Sequence, residues 1–311
     1  MPNVMIPGST GDQAAAVICV GIAVMDHLFY MDSLPRGSGK FYASNHHEVG
    51  GGVAANAAVA VARLGGRASY IGCLGDDPAG RRIASDLRAA GVDVSSVAII
   101  PGVSSPISAV LVDVAGERTI VNHTPAGLFE GGDVTAAGNV TDAQAVLVDP
   151  RWPAGAVAAL TAARDTGIPG VFDFDREMDR TGEELTTIAS HVAFSREALA
   201  ATTGSADPQE GLDRMSDVTD AWLAVTLGAE GVFWRVGGRT HHQPVFDIEV
   251  VDTVGAGDVF HGALALALGE GQPESEAVRF ASAAAALKCS RPGGRAGTPD
   301  RTEVYDLMQA G

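Results

Sequence analysis

Cysteine is scarce in this chain: Cys19, Cys73 and Cys289 are scattered, odd in number, and form no CxxC pair or Cys/His ligand spacing. A disulfide framework and a structural zinc site are thereby disfavoured, and a reducing compartment fits best. Long apolar runs are missing too, and none could span a bilayer. Met1–Asp12 lacks the basic start of a signal peptide. Basic residues are outnumbered, 21 against 38 acidic, leaving a net charge of −17. That argues against a nucleic-acid surface. The expectation is a cytoplasmic protein with no nucleic-acid or membrane partner. Any anionic ligand must then be met by locally placed cations or backbone N–H groups.

Aromatic residues are only 5% of the 311 residues, while 46% are hydrophobic, with much Ala, Val and Gly. Alanine-rich helices covering a valine-rich sheet produce that balance. Strand-like runs at 16–22, 68–72, 145–148, 170–174, 191–194 and 222–227 alternate with helical stretches at 54–64, 79–90, 154–166, 182–189 and 209–217. This rhythm predicts a parallel sheet covered on both faces. Two segments break it. Phe29–Glu48 alternates around a Pro- and Gly-rich turn, and Ser108–Asn122 reads as a β-hairpin turning at Ala115-Gly116-Glu117. Both read as antiparallel strands added to the α/β body, a plausible lid over a site. The whole chain 1–311 reads as one domain with lid segments at about 27–49 and 106–124.

Val245–Val251 reads as a strand and Gly257–Gly269 as a helix, joined by Asp252-Thr-Val-Gly-Ala-Gly-Asp258. Small residues before a helix let backbone N–H groups approach an anion, and the helix N-terminus adds partial positive charge. Gly255, Ala256 and Gly257 are thus candidates to hold a migrating phosphoryl group, and Asp258 can accept the proton of a substrate hydroxyl. A Gly-rich turn with Asp258 as an ordinary cap is the competing reading. The loop is neither a GxxxxGK[ST] phosphate loop nor an N-terminal dinucleotide fingerprint.

Asp252–Gly262 (DTVGAGDVFHG) resembles the C-terminal signature of the ribokinase (PfkB) sugar-kinase family. Glu48–Gly52 with Asn56, and Gly72–Gly80, resemble its N-terminal signature, in the family's order and spacing. The resemblance implies a ribokinase-like αβα sandwich, a mostly parallel sheet with a small β-sheet lid. It implies magnesium-ATP as donor and Asp258 as base. Thr226, Gly228 and Gly231 match a family segment beside the nucleotide phosphates, with a tight turn as the plain alternative. Phe280–Ser290, including Ser282, would wall the adenine, and Thr253 and Ser195 also fall on the nucleotide side. Arg291–Gly297 should be a loop near the nucleotide. In many family members the Asp252 region also surrounds a monovalent cation such as K+. The family's Asn-x-x-Glu motif is replaced by Ser195-Arg196-Glu197-Ala198, so no magnesium ligand can be named.

On the substrate side, the resemblance gives Asp26 the sugar hydroxyls, with Gly50, Gly51 and Gly52 letting backbone approach the sugar and Asn56 one helical turn on. Segments 20–26, 38–40, 49–52, 149–152 and 287–300 resemble most specifically the sulfofructose kinases of sulfoglycolysis. These phosphorylate O1 of 6-deoxy-6-sulfofructose, and Lys40, Asn122 and Arg151 match the positions that hold the sulfonate. A fork, a point charge and an amide suit a tetrahedral monoanion. Singly, each has a plain surface role as alternative. A fructokinase, a phosphofructokinase-like or ketodeoxygluconate kinase, and a non-catalytic sugar-binding regulator on the same fold are the competing functions. Lid sheets in this family often pair, so a homodimer is expected. The eight histidines are expected to be structural.

Overall fold

The computed structural model describes residues 14–176 and 178–310, so the reading of Met1–Asp12 falls outside the described residues. The chain runs through β1 (Ala16–Val20), β2 (Val24–Tyr30), β3 (Asn45–Gly51), α1 (Val53–Arg63), β4 (Arg67–Ile71), β5 (Cys73–Gly75), α2 (Pro78–Ala89) and β6 (Ala98–Ile100). Next come β7 (Ile107–Val112), β8 (Arg118–His123), α3 (Val134–Ala137), β9 (Ala145–Val148), α4 (Pro153–Thr166), β10 (Gly170–Phe174), α5 (Arg180–Ile188), β11 (His191–Ser195) and α6 (Arg196–Thr203). The last third holds α7 (Pro208–Ser216), β12 (Trp222–Thr226), β13 (Val232–Val236), β14 (Arg239–Gln243), α8 (Ala256–Gly269), α9 (Glu274–Cys289) and α10 (Arg301–Ala310).

Eight strands form the main sheet in the order β14-β13-β12-β11-β10-β9-β1-β4. The six from β12 to β4 are parallel, and β13 and β14 add an antiparallel edge. Parallel strands buried on both faces read as continuous apolar runs, and β9 (AVLV) is buried at every residue. Strand alternation splits β10 between two cores. Phe172 and Phe174 join the core under α3 to α7, stacking onward to Phe194 with ring centroids 4.8 Å apart. Val171 faces the core under α1, α2, α8, α9 and α10. Asp173 shares that second face by alternation, which brings a carboxylate against α8. α8 itself is buried from Val259 to Leu268 and lies against α1, where a Cβ on Gly262 would sit 2.5 Å from the Ala57 carbonyl oxygen. That close crossing brings the α1 side chains to the start of α8.

A separate four-stranded sheet has the order β3-β2-β7-β8. Its β7–β8 hairpin turns where expected, with Gly116 at φ 81°. The two added segments are not purely antiparallel, however: β2 and β7 pair in parallel. The chain leaves β2, returns through β3 and the α1–β6 segment, and re-enters beside β2 in the same direction. A second correction concerns Val245–Val251, which forms no strand. Its Val250 and Val251 side chains are exposed, and the Val251 N–H, with that of Asp252, donates to the Cys289 carbonyl at the end of α9 rather than to a neighbouring strand. β14 already closes that edge of the sheet. The β13–β14 hairpin itself was not anticipated from the sequence. None of the described helices is long and apolar enough to cross a membrane.

Candidate active site

The carboxyl ends of parallel strands are where open α/β sheets bind ligands, at the point where strand order reverses. Here that point lies between β1 and β9, and one buried carboxylate fixes it. Asp149 accepts from the Ile22 N–H at 2.9 Å, the Ala54 N–H at 3.1 Å and the Arg151 N–H at 2.9 Å. Burial pushes its carboxyl up to about 6, against the pull of Arg151 and these amides. Above this floor a cleft of about 710 Å³ opens between the main sheet and the four-stranded sheet, a size suited to a small ligand. Asp26, Gly50, Gly52, Asn56, Asn122 and Arg151 line it, as do Thr253, Gly255 and Asp258.

Gly255 caps α8 in the left-handed region, φ 74°, which only glycine adopts cheaply. The Ala256 N–H turns back to the Thr253 carbonyl at 3.2 Å. The N–H groups of Gly255, Gly257 and Asp258 have no acceptor among the described residues, so two of the three candidate residues Gly255–Gly257 keep a free donor and Asp258 adds another. A Cβ on Gly257 would meet nothing within 4 Å, which leaves open space in front of those donors. Asp258 stands in the first turn of α8, and Asn56 Nδ2 donates to its Oδ2 at 2.7 Å. Asn56 thus orients the acid. Burial, then the nearby Asp173 charge, pushes the Asp258 carboxyl up to about 7, with Asn56 and His261 pulling the other way. A carboxylate of that proton affinity is a competent base near neutral pH.

Beneath it His261 is 3% exposed, its Nδ1 2.9 Å from Asp173 Oδ2 and 2.8 Å from the Gly257 carbonyl, its Nε2 3.3 Å from the Ala193 carbonyl. Both ring nitrogens face only acceptors, which favours the doubly protonated ring. Burial opposes that charge, but Asp173 prevails and the imidazole is pushed up to about 9. The structural role expected for the histidines suits this one.

Asp252 is the most heavily bonded group of the loop. It accepts from the Val254 N–H at 2.9 Å, Arg118 of β8 at 2.8 Å, and the N–H groups of Gly293 and Gly294 at 3.0 and 3.3 Å. Burial disfavours its charge, yet those amides and Lys288 hold its carboxyl below the usual carboxylate range. The expected monovalent cation meets a poor fit here. The Asp252 carbonyl already receives the Lys288 ammonium at 2.7 Å.

On the sugar side Gly50 and Gly51 make room for side chains, and Gly52 for the backbone of Ile22 and Ala23. A Cβ on Gly51 would sit 2.0 Å from Asp26 Oδ2, and one on Gly50 would sit 1.7 Å from Arg295 Nη2. Burial holds the Asp26 carboxyl above its usual range, partly offset by Ser108 and Arg295. Asn122 Oδ1 accepts from the Ser108 hydroxyl at 2.8 Å. Arg151 reaches the cleft but gives both terminal nitrogens to Asp175 at 2.6 Å. Lys40 lies apart, on the exposed, unpaired segment between β2 and β3, outside the cleft lining.

Of the nucleotide-side residues, Thr253 is in that lining, whereas Ser195 and Thr226 at the ends of β11 and β12, Gly228 and Gly231 just after β12, and Ser282 in α9 lie outside it. Ser195 Oγ caps α6 by accepting from the Ala198 N–H at 3.1 Å, and the Thr226 hydroxyl donates to the Phe194 carbonyl at 3.3 Å. Gly228 opens a short 3-10 turn, and a Cβ on Gly231 would lie 2.1 Å from the Gln243 carbonyl. The Ser282 hydroxyl is buried without a partner. For magnesium the donor set is thin: Ser195 is used as a cap, Ala198 is apolar and Glu197 points to solvent.

Arg295 and Arg118 are the site residues that sequence reasoning missed. Arg295 was placed with the nucleotide loop, but its guanidinium enters the sugar side, with Nη1 buried and unpartnered. Its signal was a pair of cations, Arg291 and Arg295, flanking two glycines in an acidic protein. Arg118 had none, because its partner Asp252 is 134 residues away.

The model of the pfkB family carbohydrate kinases matches residues 14–301. An ATP-dependent ribose-1-phosphate kinase of Halopiger xanaduensis is 31% identical over 93% of this chain and 97% of its own. A crystal structure of a candidate ribokinase from Agrobacterium tumefaciens superposes with a TM-score of 0.91 at 39% identity, covering 96% of this chain and 98% of that one. The Arabidopsis thaliana ribokinase complexed with ribose and ATP superposes with a TM-score of 0.84 at 25% identity, covering 96% and 99%.

Proposed function

The chain belongs to the pfkB family of ATP-dependent carbohydrate kinases, and from that premise we propose that its sugar is 6-deoxy-6-sulfofructose, phosphorylated at O1. The observation that carries the reading is the set of guanidinium groups in the cleft, which stand beside the carboxylates of Asp26, Asp252 and Asp258. In a protein of net charge −17, three guanidinium groups, Arg118, Arg151 and Arg295, line one cavity. A sulfonate is a permanent tetrahedral monoanion, and planar forks suit it. Asp26 would take sugar hydroxyls, while Asn122, Arg151 and the unpartnered Nη1 of Arg295 would take the sulfonate.

The O1 hydroxyl then stands at Asp258. Its proton passes to the Asp258 carboxylate as the oxygen bonds to the γ-phosphorus, and the bond from that phosphorus to the ADP oxygen breaks. The free N–H groups of Gly257 and Asp258, at the positive end of α8, face the charge that develops on the transferred group. ATP would approach from the ends of β11 and β12, past Thr226 and Gly228, with Thr253 at the loop and Ser282 toward the base. Magnesium, the general kinase cofactor, would be carried by the nucleotide, as the Ser195–Ala198 segment supplies it no free carboxylate toward the cleft.

A plain sugar or a sugar phosphate is the second reading. It is favoured by the ribose-1-phosphate kinase relative and by the position of Lys40 away from the cleft. The same cations would serve a phosphate. The outer row His27, Ala109 and Val121 of the four-stranded sheet supports the proposal that two copies pair there, checked by light scattering.

An ADP-release assay decides the sugar, run with ATP and sulfofructose, fructose, fructose 6-phosphate, ketodeoxygluconate, ribose or ribose 1-phosphate. The proposal requires the highest kcat/KM for sulfofructose. A higher value for any other member sinks it. Arg151→Ala should weaken sulfofructose far more than fructose, and equal loss on both would remove the sulfonate pocket.

A further inference from the structure

A buried ammonium is expensive to hold, because desolvation of the charge must be matched by well-placed acceptors. Lys288 is 0% exposed. Its Nζ lies 2.7 Å from the Asp252 carbonyl, 3.3 Å from the Arg291 carbonyl and 3.4 Å from Asp252 Oδ2. Three donors thus meet three oxygens, and the group is satisfied. Burial pulls the ammonium below its usual range, with Asp252 opposing. Arg118 and Cys289 are the other ionisable groups that act on it.

The position is informative. Lys288 stands in the last turn of α9, whose terminal carbonyls carry partial negative charge. The Cys289 carbonyl in that turn also accepts from the Val251 and Asp252 N–H groups. Lys288 therefore ties the entry of the 252–258 loop to α9, and Asp252 passes the restraint to Gly293, Gly294 and Arg118. It does not line the cleft, so it cannot touch sugar or transferred phosphate. The oxygens that would otherwise present a cage to a free monovalent cation are already spent on a tethered one.

We infer that Lys288 is a positioning residue that replaces a dissociable monovalent cation, so that phosphoryl transfer by this kinase needs no K+. Two carbonyls and one carboxylate oxygen around a single positive charge are chemically what a K+ or NH4+ ion would bind. Here the ion is delivered by the chain and cannot be diluted away. The inference rests on the kinase activity and not on which sugar is used.

The experiment compares wild type with Lys288→Ala and the longer, uncharged Lys288→Met. Turnover of the best sugar from the panel, and Tm without any substrate, are measured in the chlorides of tetramethylammonium, Na+, K+ and NH4+ at matched ionic strength. Wild-type rate and Tm should be unchanged within about twofold and about a degree across the salts, since screening is held constant. In tetramethylammonium, Lys288→Ala should lose about 10²-fold in kcat, the scale of a displaced catalytic geometry. K+ or NH4+, but not tetramethylammonium, should restore much of that loss and raise the variant's Tm. Lys288→Met fills the cavity and should not be rescued. Wild-type turnover that itself rises steeply with K+ overturns the inference without any variant. So does a folded Lys288→Ala whose loss no cation repairs, or one that loses nothing.

Discussion

The two ends of the cleft are built differently. At the phosphoryl end, the side chains that set the Asp252–Asp258 loop are held by partners: Asn56 on Asp258, Lys288 and four further donors on Asp252, and His261 beneath Gly257. What stays open there is backbone N–H at the start of α8. At the sugar end, Arg295 keeps a donor unpaired, and Asp26 occupies the space left by Gly51 with Ser108 and Arg295 beside it. The first end is pre-organised, as electrostatic stabilisation of a developing charge demands. The second keeps unspent hydrogen-bonding capacity for a ligand. Chemistry is fixed by rigidity, and recognition by what has been left unsatisfied.

Mutation can test that contrast. The largest effect belongs to Asp258→Asn, which should cut kcat by about 10²–10⁴-fold, the usual weight of a positioned base. Its stability should change in the opposite direction. Asp258 has a folded pKa of about 7, above its ordinary carboxylate value, so its ionised form is penalised by folding. That penalty is fully present above pH 7, shrinks as pH falls, and vanishes below the unfolded value. Asp258→Asn should therefore raise Tm at pH 8 and leave it unchanged near pH 3. A Tm that fell at pH 8 would mean that the acid is not strained by burial.

Next in size, Asn56→Ala should lower kcat/KM by about tenfold at pH 7, the worth of one hydrogen bond to a charged group. The wild-type rate should fall below about pH 7 as Asp258 takes its proton. Without the Asn56 donor this acid limb should move to higher pH, since that bond favours the carboxylate. A profile that kept its midpoint would assign Asn56 to the sugar instead.

Smaller again is Arg118→Ala, which removes the 2.8 Å bond between the four-stranded sheet and Asp252. Sugar KM should rise by about three- to tenfold with kcat nearly kept, the scale of one charge-assisted bond. A matching fall in kcat would show that the two ends are coupled after all. The smallest effect belongs to Lys40→Ala, with less than about a twofold change on sulfofructose, as for a solvated surface charge. A larger loss would show that the segment between β2 and β3 closes onto the substrate.

Some of this was legible without coordinates. Runs such as AVLV in β9 and GVFDF in β10 announce buried parallel strands, because burial on both faces removes any alternation. The stretch Val245–Val251 misled for the same reason, since valines resemble a strand whether or not a neighbouring strand is in reach. The DTVGAGD loop carried its chemistry in its glycines and its acid, which act over a few residues of local backbone.

Sequence by itself therefore determined the sheet-and-helix body and the family, through local propensity and short motifs whose parts touch each other. Tertiary structure alone decided which charges are free to act. Arg151 is engaged by Asp175, Arg118 by Asp252, and Lys288 by carbonyls of two loops, while Arg295 emerges unpaired on the sugar side. A side chain's charge is written in its codon, but its availability depends on partners brought close only by folding, and on how much water folding leaves around it.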